Sequence, residues 1–335
     1  MKIGILGAGT WGIALAALLA NNNHNVVVWS ALPDEIDELK STCRHKNLPG
    51  AKLPRNINYT KDIEEAALAE MILFVVPSSF IRSTAKKISP YIHDGVIIVS
   101  AAKGVEKDTL LTMTDVIDDE LSSCGVTEKY HLAALSGPTH AEEVALGIPT
   151  SIVAACEDEE VSVRIADAFS NSCMRAYTNT DVLGVEISGA MKNIIALAAG
   201  INNGMGLGDN SKAMLMTRGI AEITRLGLAM GCKRRTFMGL AGIGDLIVTC
   251  TSRHSRNNRC GELIGMGKSY EEASSEIGMV VEGYHALEAA MALSRKHSVE
   301  MPITSAVYSV IKTGASIHDA MYALMNRDIK SELKI

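Results

Sequence analysis

Through the first half of the chain, short apolar runs alternate with longer stretches in which apolar and polar residues mix at helical spacing. Residues 2–6, 25–29, 71–76, 96–101, 132–136, 151–155 and 175–178 read as strands. An apolar run this short, bounded by turn residues, suits a strand covered on both faces. Residues 13–20, 33–43, 79–88 and 110–121 read as helices. Pro33, Asp34 and Glu35 suit a first helical turn, where the missing N–H costs nothing and carboxylates meet the positive end of the dipole. Such alternation predicts a doubly wound, mostly parallel sheet with helices on both faces.

Near residue 182 the strand signal stops. Residues 184–201, 211–230, 282–297 and 305–312 carry helical patterns, and Ser269 with Glu272 has the spacing of a capping box. The expected division is an α/β domain over 1–182 and an all-helical domain over 183–335; a chain of 335 residues can bury two cores.

The stretch from Gly184 to Ile201, with Gly200 as its closing signal, is apolar around most of its circumference, as a buried helix is. Within it sit Lys192 and Asn193. A buried ammonium is costly, so Lys192 either finds partners, moves towards its neutral form, or snorkels out at the helix edge. Ser188, Gly189 and Ala196, about one turn away, are small and leave room for a ligand to approach the amine.

Between the first strand and the first helix lies Gly7-Ala8-Gly9-Thr10-Trp11-Gly12. In that context G-x-G-x-x-G is informative: the first glycine allows a tight turn, the second lets a pyrophosphate approach, the third lets helix and strand pack closely. A glycine turn without a ligand is the plainer reading of a bare match. The second strand, arriving at residue 25, favours a Rossmann-type site, with helix N–H groups facing the phosphates. In such sheets ligands lie beyond the carboxyl ends of the strands, which brings forward Pro77-Ser78, Lys103-Gly104 and Gly137-Pro138-Thr139-His140. Lys103 either reaches into a cleft there or is a solvated turn lysine. Residues 239–259 join a glycine-rich segment and Asp245 to Arg253, Arg256 and Arg259, which read as an anion site or as a solvated basic loop.

Composition narrows the classes. The apolar share of 47% and charged share of 21% exclude a mainly disordered chain. A formal charge of −6 with 4% aromatics argues against a nucleic-acid partner. The seven cysteines form no C-x-x-C pair, which favours reduced thiols and a cytoplasmic protein. The apolar N-terminus mimics a signal peptide but is broken by the glycine turn, and no apolar segment is read as long enough to span a bilayer, so no membrane insertion is expected. His140 and His254 lack metal-ligand spacing and no metal is assigned. There is no G-x-S-x-G nucleophile motif. The oligomeric state is left open, a homodimer included.

The motifs carry a specific resemblance. Residues 7–12 (GAGTWG), 136–144 (SGPTHAEEV), 189–197 (GAMKNIIAL), 244–252 (GDLIVTCTS), 255–257 (SRN) and 279–283 (MVVEG) together resemble bacterial NAD(P)-dependent glycerol-3-phosphate dehydrogenases along nearly the whole chain. The resemblance implies hydride transfer between NAD or NADP and C2 of dihydroxyacetone phosphate or glycerol 3-phosphate, supplying phospholipid synthesis. It implies Lys192 as the acid–base group, with Lys103 beside cofactor and substrate, and Asp245 and Asn193 orienting Lys192 and substrate near Thr249. Ser255, Arg256 and Asn257 would hold the substrate phosphate, Arg256 also lying near the cofactor, while Gly137 and Thr139 line the substrate site. Gly7, Gly9, Thr10, Trp11, Gly12, Ser30, Ala141, Val280 and Glu282 would meet the dinucleotide. After the second strand the run Trp29-Ser30-Ala31-Leu32 departs from relatives with a basic residue there and also lacks the acid of an NAD-selective turn. Weak discrimination between NAD and NADP is therefore expected, with Asp34 and Glu35 acting only through solvent.

Overall fold

The computed structural model describes residues 1–329, 331 and 332. Its strands are β1 (Lys2–Leu6), β2 (Asn25–Trp29), β3 (Asn58–Thr60), β4 (Met71–Phe74), β5 (Ile97–Ser100), β6 (His131–Ser136), β7 (Thr150–Cys156) and β8 (Met174–Asn179). They form one sheet in the order β3-β2-β1-β4-β5-β6-β7-β8. All neighbours are parallel except β6 and β7. Successive side chains of a strand point to opposite faces, and the cores follow that rule. Ile3, Ile5, Val26, Val28, Met71 and Leu73 join the core on one face; Leu6, Val27, Trp29, Ile72 and Phe74 join the core on the other. The strand order reverses at β1, which lies between β2 and β4, and ligands of doubly wound sheets bind beyond the carboxyl ends at such a switch point.

Two features of the sheet were outside the expected pattern. β3 is three residues long with only Thr60 buried, so it has no apolar run to announce it. β7 runs against β6, a direction that apolar periodicity does not encode.

The chain packs as two units, Met1–Lys103 with Leu111–Val182, and Gly104–Leu110 with the residues from Leu183 onward. The excursion 104–110 joins the helical unit through Val105, which lies in its core, and through an ion pair from Lys107 to Glu288 at 2.5 Å. Among the described residues the second unit contains helices and no strands. Ser269 and Glu272 form the expected capping box at the start of helix Tyr270–Ile277, with both reciprocal bonds present.

Helix Val182–Gly204 is the centre of this unit, buried at every position from Gly184 to Asn202. It does not stop at Gly200, and over 23 residues it is long and apolar enough by composition to cross a membrane, contrary to the sequence expectation; most of it is buried inside the protein. Gly200 is a crossing point instead. A Cβ there would lie 2.0 Å from the Asn258 carbonyl oxygen, and one at Gly261 would lie 2.1 Å from that of Leu197. Only glycines at these places let helix Arg256–Gly265 cross the central helix backbone to backbone. That crossing seats Asn257 against Asn193.

Candidate active site

The glycine turn is shaped by contacts within its own unit. Gly7 has φ +124°, and a Cβ there would come within 2.9 Å of the backbone after β4, so both conformation and space require glycine. A Cβ at Gly12 would lie 2.0 Å from the Gly7 carbonyl oxygen. Gly9 differs, since a Cβ there would meet no atom of the described residues within 4 Å. Helix Thr10–Asn21 starts beside it with no side-chain cap and no acid in its first turn. Uncapped N–H groups, the positive end of the dipole and open space fit a pyrophosphate. Thr10 accepts a hydrogen bond from Asn47 Nδ2 at 3.1 Å, and Trp11 is half-buried next to it.

Ser30 is buried at the carboxyl end of β2 with its hydroxyl engaged: it donates to Glu35 Oε2 at 2.7 Å and accepts from the Leu32 N–H at 3.1 Å. Glu35 was expected to act through solvent; the fold instead bonds it directly to Ser30. Sequence reasoning also passed over Asn47 and His45, which reach the glycine turn from a loop that no local pattern ties to it.

Beyond β5 and β6, Lys103 Nζ lies 3.5 Å from the Gly137 carbonyl oxygen, which also accepts from Thr139 Oγ1 at 3.2 Å. These three residues are therefore one cluster, with Lys103 half-buried. Ala141 opens the short helix Ala141–Ala145 that follows.

In the helical unit Lys192 is 5% exposed, and of the options open in the sequence it takes the first, partners. Its ammonium donates to Asp245 Oδ1 at 2.5 Å and to Thr249 Oγ1 at 2.6 Å. The Thr249 hydroxyl in turn donates a hydrogen bond to the Asp245 backbone carbonyl at 2.6 Å. Asp245 follows a π-helical turn, Leu240–Gly244, a wide-turn feature frequent at functional sites, and begins helix Asp245–Thr251. Neighbouring Cys250 is buried, and burial pushes its thiol up to about 12, so it stays protonated. Ser188, one turn before Lys192, is a buried hydroxyl with no partner among the described residues, a cost that a ligand could relieve.

Asn257 Nδ2 donates to Asn193 Oδ1 at 3.0 Å, and Asn257 Oδ1 accepts from the Gly283 N–H at 2.9 Å. Asn257 thus ties together three helices, and its oxygen is already taken. Asn193 keeps an amide nitrogen with no protein acceptor among the described residues. Ser255 caps helix Arg256–Gly265 by accepting from the Asn258 N–H. Arg256, the first residue of that helix, is exposed and has neither hydrogen bond nor ion pair among the described residues. Glu282 begins helix Glu282–Lys296, with Val280 exposed just before it. Among the described residues no group of three or more His, Cys, Asp or Glu could hold a metal ion.

Two family models cover most of the chain, NAD-dependent glycerol-3-phosphate dehydrogenase N-terminus over residues 2–162 and C-terminus over 181–322. The chain belongs to the NAD-dependent glycerol-3-phosphate dehydrogenase family. Within this family it is 58% identical to glycerol-3-phosphate dehydrogenase [NAD(P)+] 2 of Lactobacillus delbrueckii subsp. bulgaricus, the match covering 99% of each chain. It is 48% identical to the glycerol-3-phosphate dehydrogenase [NAD(P)+] of Agathobacter rectalis, over 99% of this chain and 97% of the relative. The crystal structure of glycerol-3-phosphate dehydrogenase from Coxiella burnetii superposes with a TM-score of 0.91 at 35% identity, covering 97% of this chain and 99% of that one.

Proposed function

We propose that the protein is an oxidoreductase that transfers a hydride between a nicotinamide dinucleotide and C2 of dihydroxyacetone phosphate or sn-glycerol 3-phosphate. The observation that carries the reading is the buried Lys192, held by Asp245 and Thr249 in an otherwise apolar helix. Oxidising a secondary alcohol requires a base for the hydroxyl proton, and reducing the ketone requires the corresponding acid. Lys192 supplies both, giving its proton to the C2 oxygen on reduction and taking it back on oxidation. Asp245 holds the amine in place and balances its charge while the proton is present. A bound dinucleotide supplies or accepts the hydride. The Gly7–Gly12 turn would hold its pyrophosphate, with the space beside Gly9 open.

Arg256 takes the substrate phosphate through its guanidinium fork, binding energy remote from C2 that orients the reacting carbon. The Asn193 amide donates to a substrate hydroxyl in this reading, and the bond that its oxygen accepts from Asn257 supports that orientation. Lys103, Gly137 and Thr139 serve the substrate side of the α/β unit, and Ala141, Val280 and Glu282 the cofactor. In this reading the enzyme works in the cytoplasm, with reduced cysteines, and supplies glycerol 3-phosphate for phospholipid synthesis. The test is oxidation of NADH and NADPH with dihydroxyacetone phosphate against unphosphorylated dihydroxyacetone. Turnover confined to the phosphorylated ketone supports the reading, and equal turnover of both removes the phosphate site from it.

A further inference from the structure

We propose that Glu35, fixed by Ser30, makes this chain select the dinucleotide that lacks a 2′-phosphate; the inference rests on the dinucleotide reading above. The last residue of β2, Trp29, accepts the Gly7 N–H at 2.8 Å, so Ser30 comes directly after the point where the second strand meets the glycine turn. In Rossmann-type sites this is where the adenosine ribose lies, and an acid there accepts from the ribose hydroxyls. Ser30, Ala31 and Leu32 include no acid. The fold brings one from the next helix.

Glu35 stands in the first turn of helix Pro33–Thr42, whose start is tightened by its own N–H bonding the Leu32 carbonyl at 3.2 Å. From there the side chain folds back, and Oε2 accepts the Ser30 hydroxyl at 2.7 Å. Ser30 is held in turn by the Leu32 N–H. Oε1 of Glu35 takes no protein hydrogen bond among the described residues, which leaves an oriented acceptor at the end of β2. Because the Ser30 proton is committed to Glu35, the hydroxyl is not available to donate to a phosphate. A half-buried carboxylate in this position accepts from a 2′-hydroxyl and repels a 2′-phosphate at short range, where salt screens little.

The cations nearby do not reverse that sign. His45 reaches the Ala8 carbonyl and feels Glu35, but burial lowers its pKa below the ordinary imidazole value, which disfavours its cationic form. Arg44 and Lys46, on either side of it, are exposed and solvated.

Trp11 and Trp29 are the chain's two tryptophans, and both belong to this region, so quenching of intrinsic fluorescence reports binding without turnover. Dissociation constants for NADH and NADPH, measured without ketone, should differ by more than about tenfold and on the order of a hundredfold in favour of NADH, the scale of one hydrogen bond to a charged group. Glu35→Gln keeps an acceptor for the ribose and removes the charge. It should narrow the ratio at least about fivefold, chiefly by tightening NADPH. Ser30→Ala frees the carboxylate without removing it and should narrow the ratio by less. A wild-type ratio below about tenfold, a preference for NADPH, or a ratio that Glu35→Gln leaves unchanged overturns the proposal. Binding of neither dinucleotide overturns the underlying reading itself, and so separates the two failures.

Discussion

The two units build their functional surfaces from different materials. In the α/β unit the glycine turn presents backbone: uncapped helix N–H groups and the empty space beside Gly9. In the helical unit the proposed chemistry rests on buried side chains, Lys192 bonded to Asp245 and Thr249, and Asn193 bonded to Asn257. A backbone surface can be blocked without disturbing the fold that makes it. A buried charge pair cannot lose one member cheaply, because the other is left uncompensated in a medium that solvates it poorly. On the proposed roles, binding by main chain and catalysis by paired side chains should therefore fail in distinguishable ways.

The largest effect is expected where the side-chain surface is broken. Asp245→Asn should lower the stability of the helical unit by about 3–5 kcal/mol, the usual cost of removing one partner of a buried pair. A urea titration followed by circular dichroism checks this, and NADH affinity of the folded fraction should stay within about threefold of wild type, which is under 1 kcal/mol. Gly9→Leu tests the other side of the comparison. A Cβ there has no atom of the described residues within 4 Å, so the urea midpoint should hold, while the dinucleotide Kd rises about a hundredfold or more, roughly 3 kcal/mol. A destabilised Gly9→Leu that still binds NADH would erase the distinction.

Arg256 lies between the two cases, an exposed side chain at a helix start. Arg256→Ala should cost about 1.5–3 kcal/mol in kcat/KM for dihydroxyacetone phosphate, the value of hydrogen bonds to a charged group. It should change the rate with unphosphorylated ketone little; if the preference for phosphate survives, Arg253 or Arg259 holds it. The smallest effect expected is on Cys250. With its thiol pushed up to about 12 by burial, the thiolate fraction at pH 8 is about one in ten thousand. Mass spectrometry after iodoacetamide treatment of the folded protein should find Cys124, which is exposed, alkylated and Cys250 unmodified.

What the sequence made legible follows the same division. The glycine turn is contiguous, and its neighbours in space are its neighbours in the chain, so its strand–turn–helix context could be read directly. Most of the buried strands announce themselves as apolar runs; β3, short and largely uncovered, does not. Lys192 was legible as a problem, a charge in an apolar helix, but its solution lies 53 residues away at Asp245 and entered only through resemblance. Gly200 was misread as a helix end because a glycine that permits a crossing and one that ends a helix look alike in a sequence. Glu35 was visible in the first turn of its helix, yet whether such a side chain turns to solvent or back to Ser30 depends on rotamer and loop geometry, not on spacing. The Asn47–Thr10 contact spans 37 residues and joins a loop to a turn, and nothing periodic marks it.

Lys192 is the proposed acid–base group, and single-turnover hydride transfer in Lys192→Met tests that role most directly. Excess enzyme is mixed with NADH and saturating dihydroxyacetone phosphate, and NADH absorbance is followed alongside the NADH Kd. The methionine keeps the bulk of the stem and removes the proton. The rate should fall about 10²–10⁴-fold, the usual contribution of a general acid, with Kd within about threefold of wild type. A rate within about tenfold of wild type in a variant that binds NADH normally would contradict the central claim.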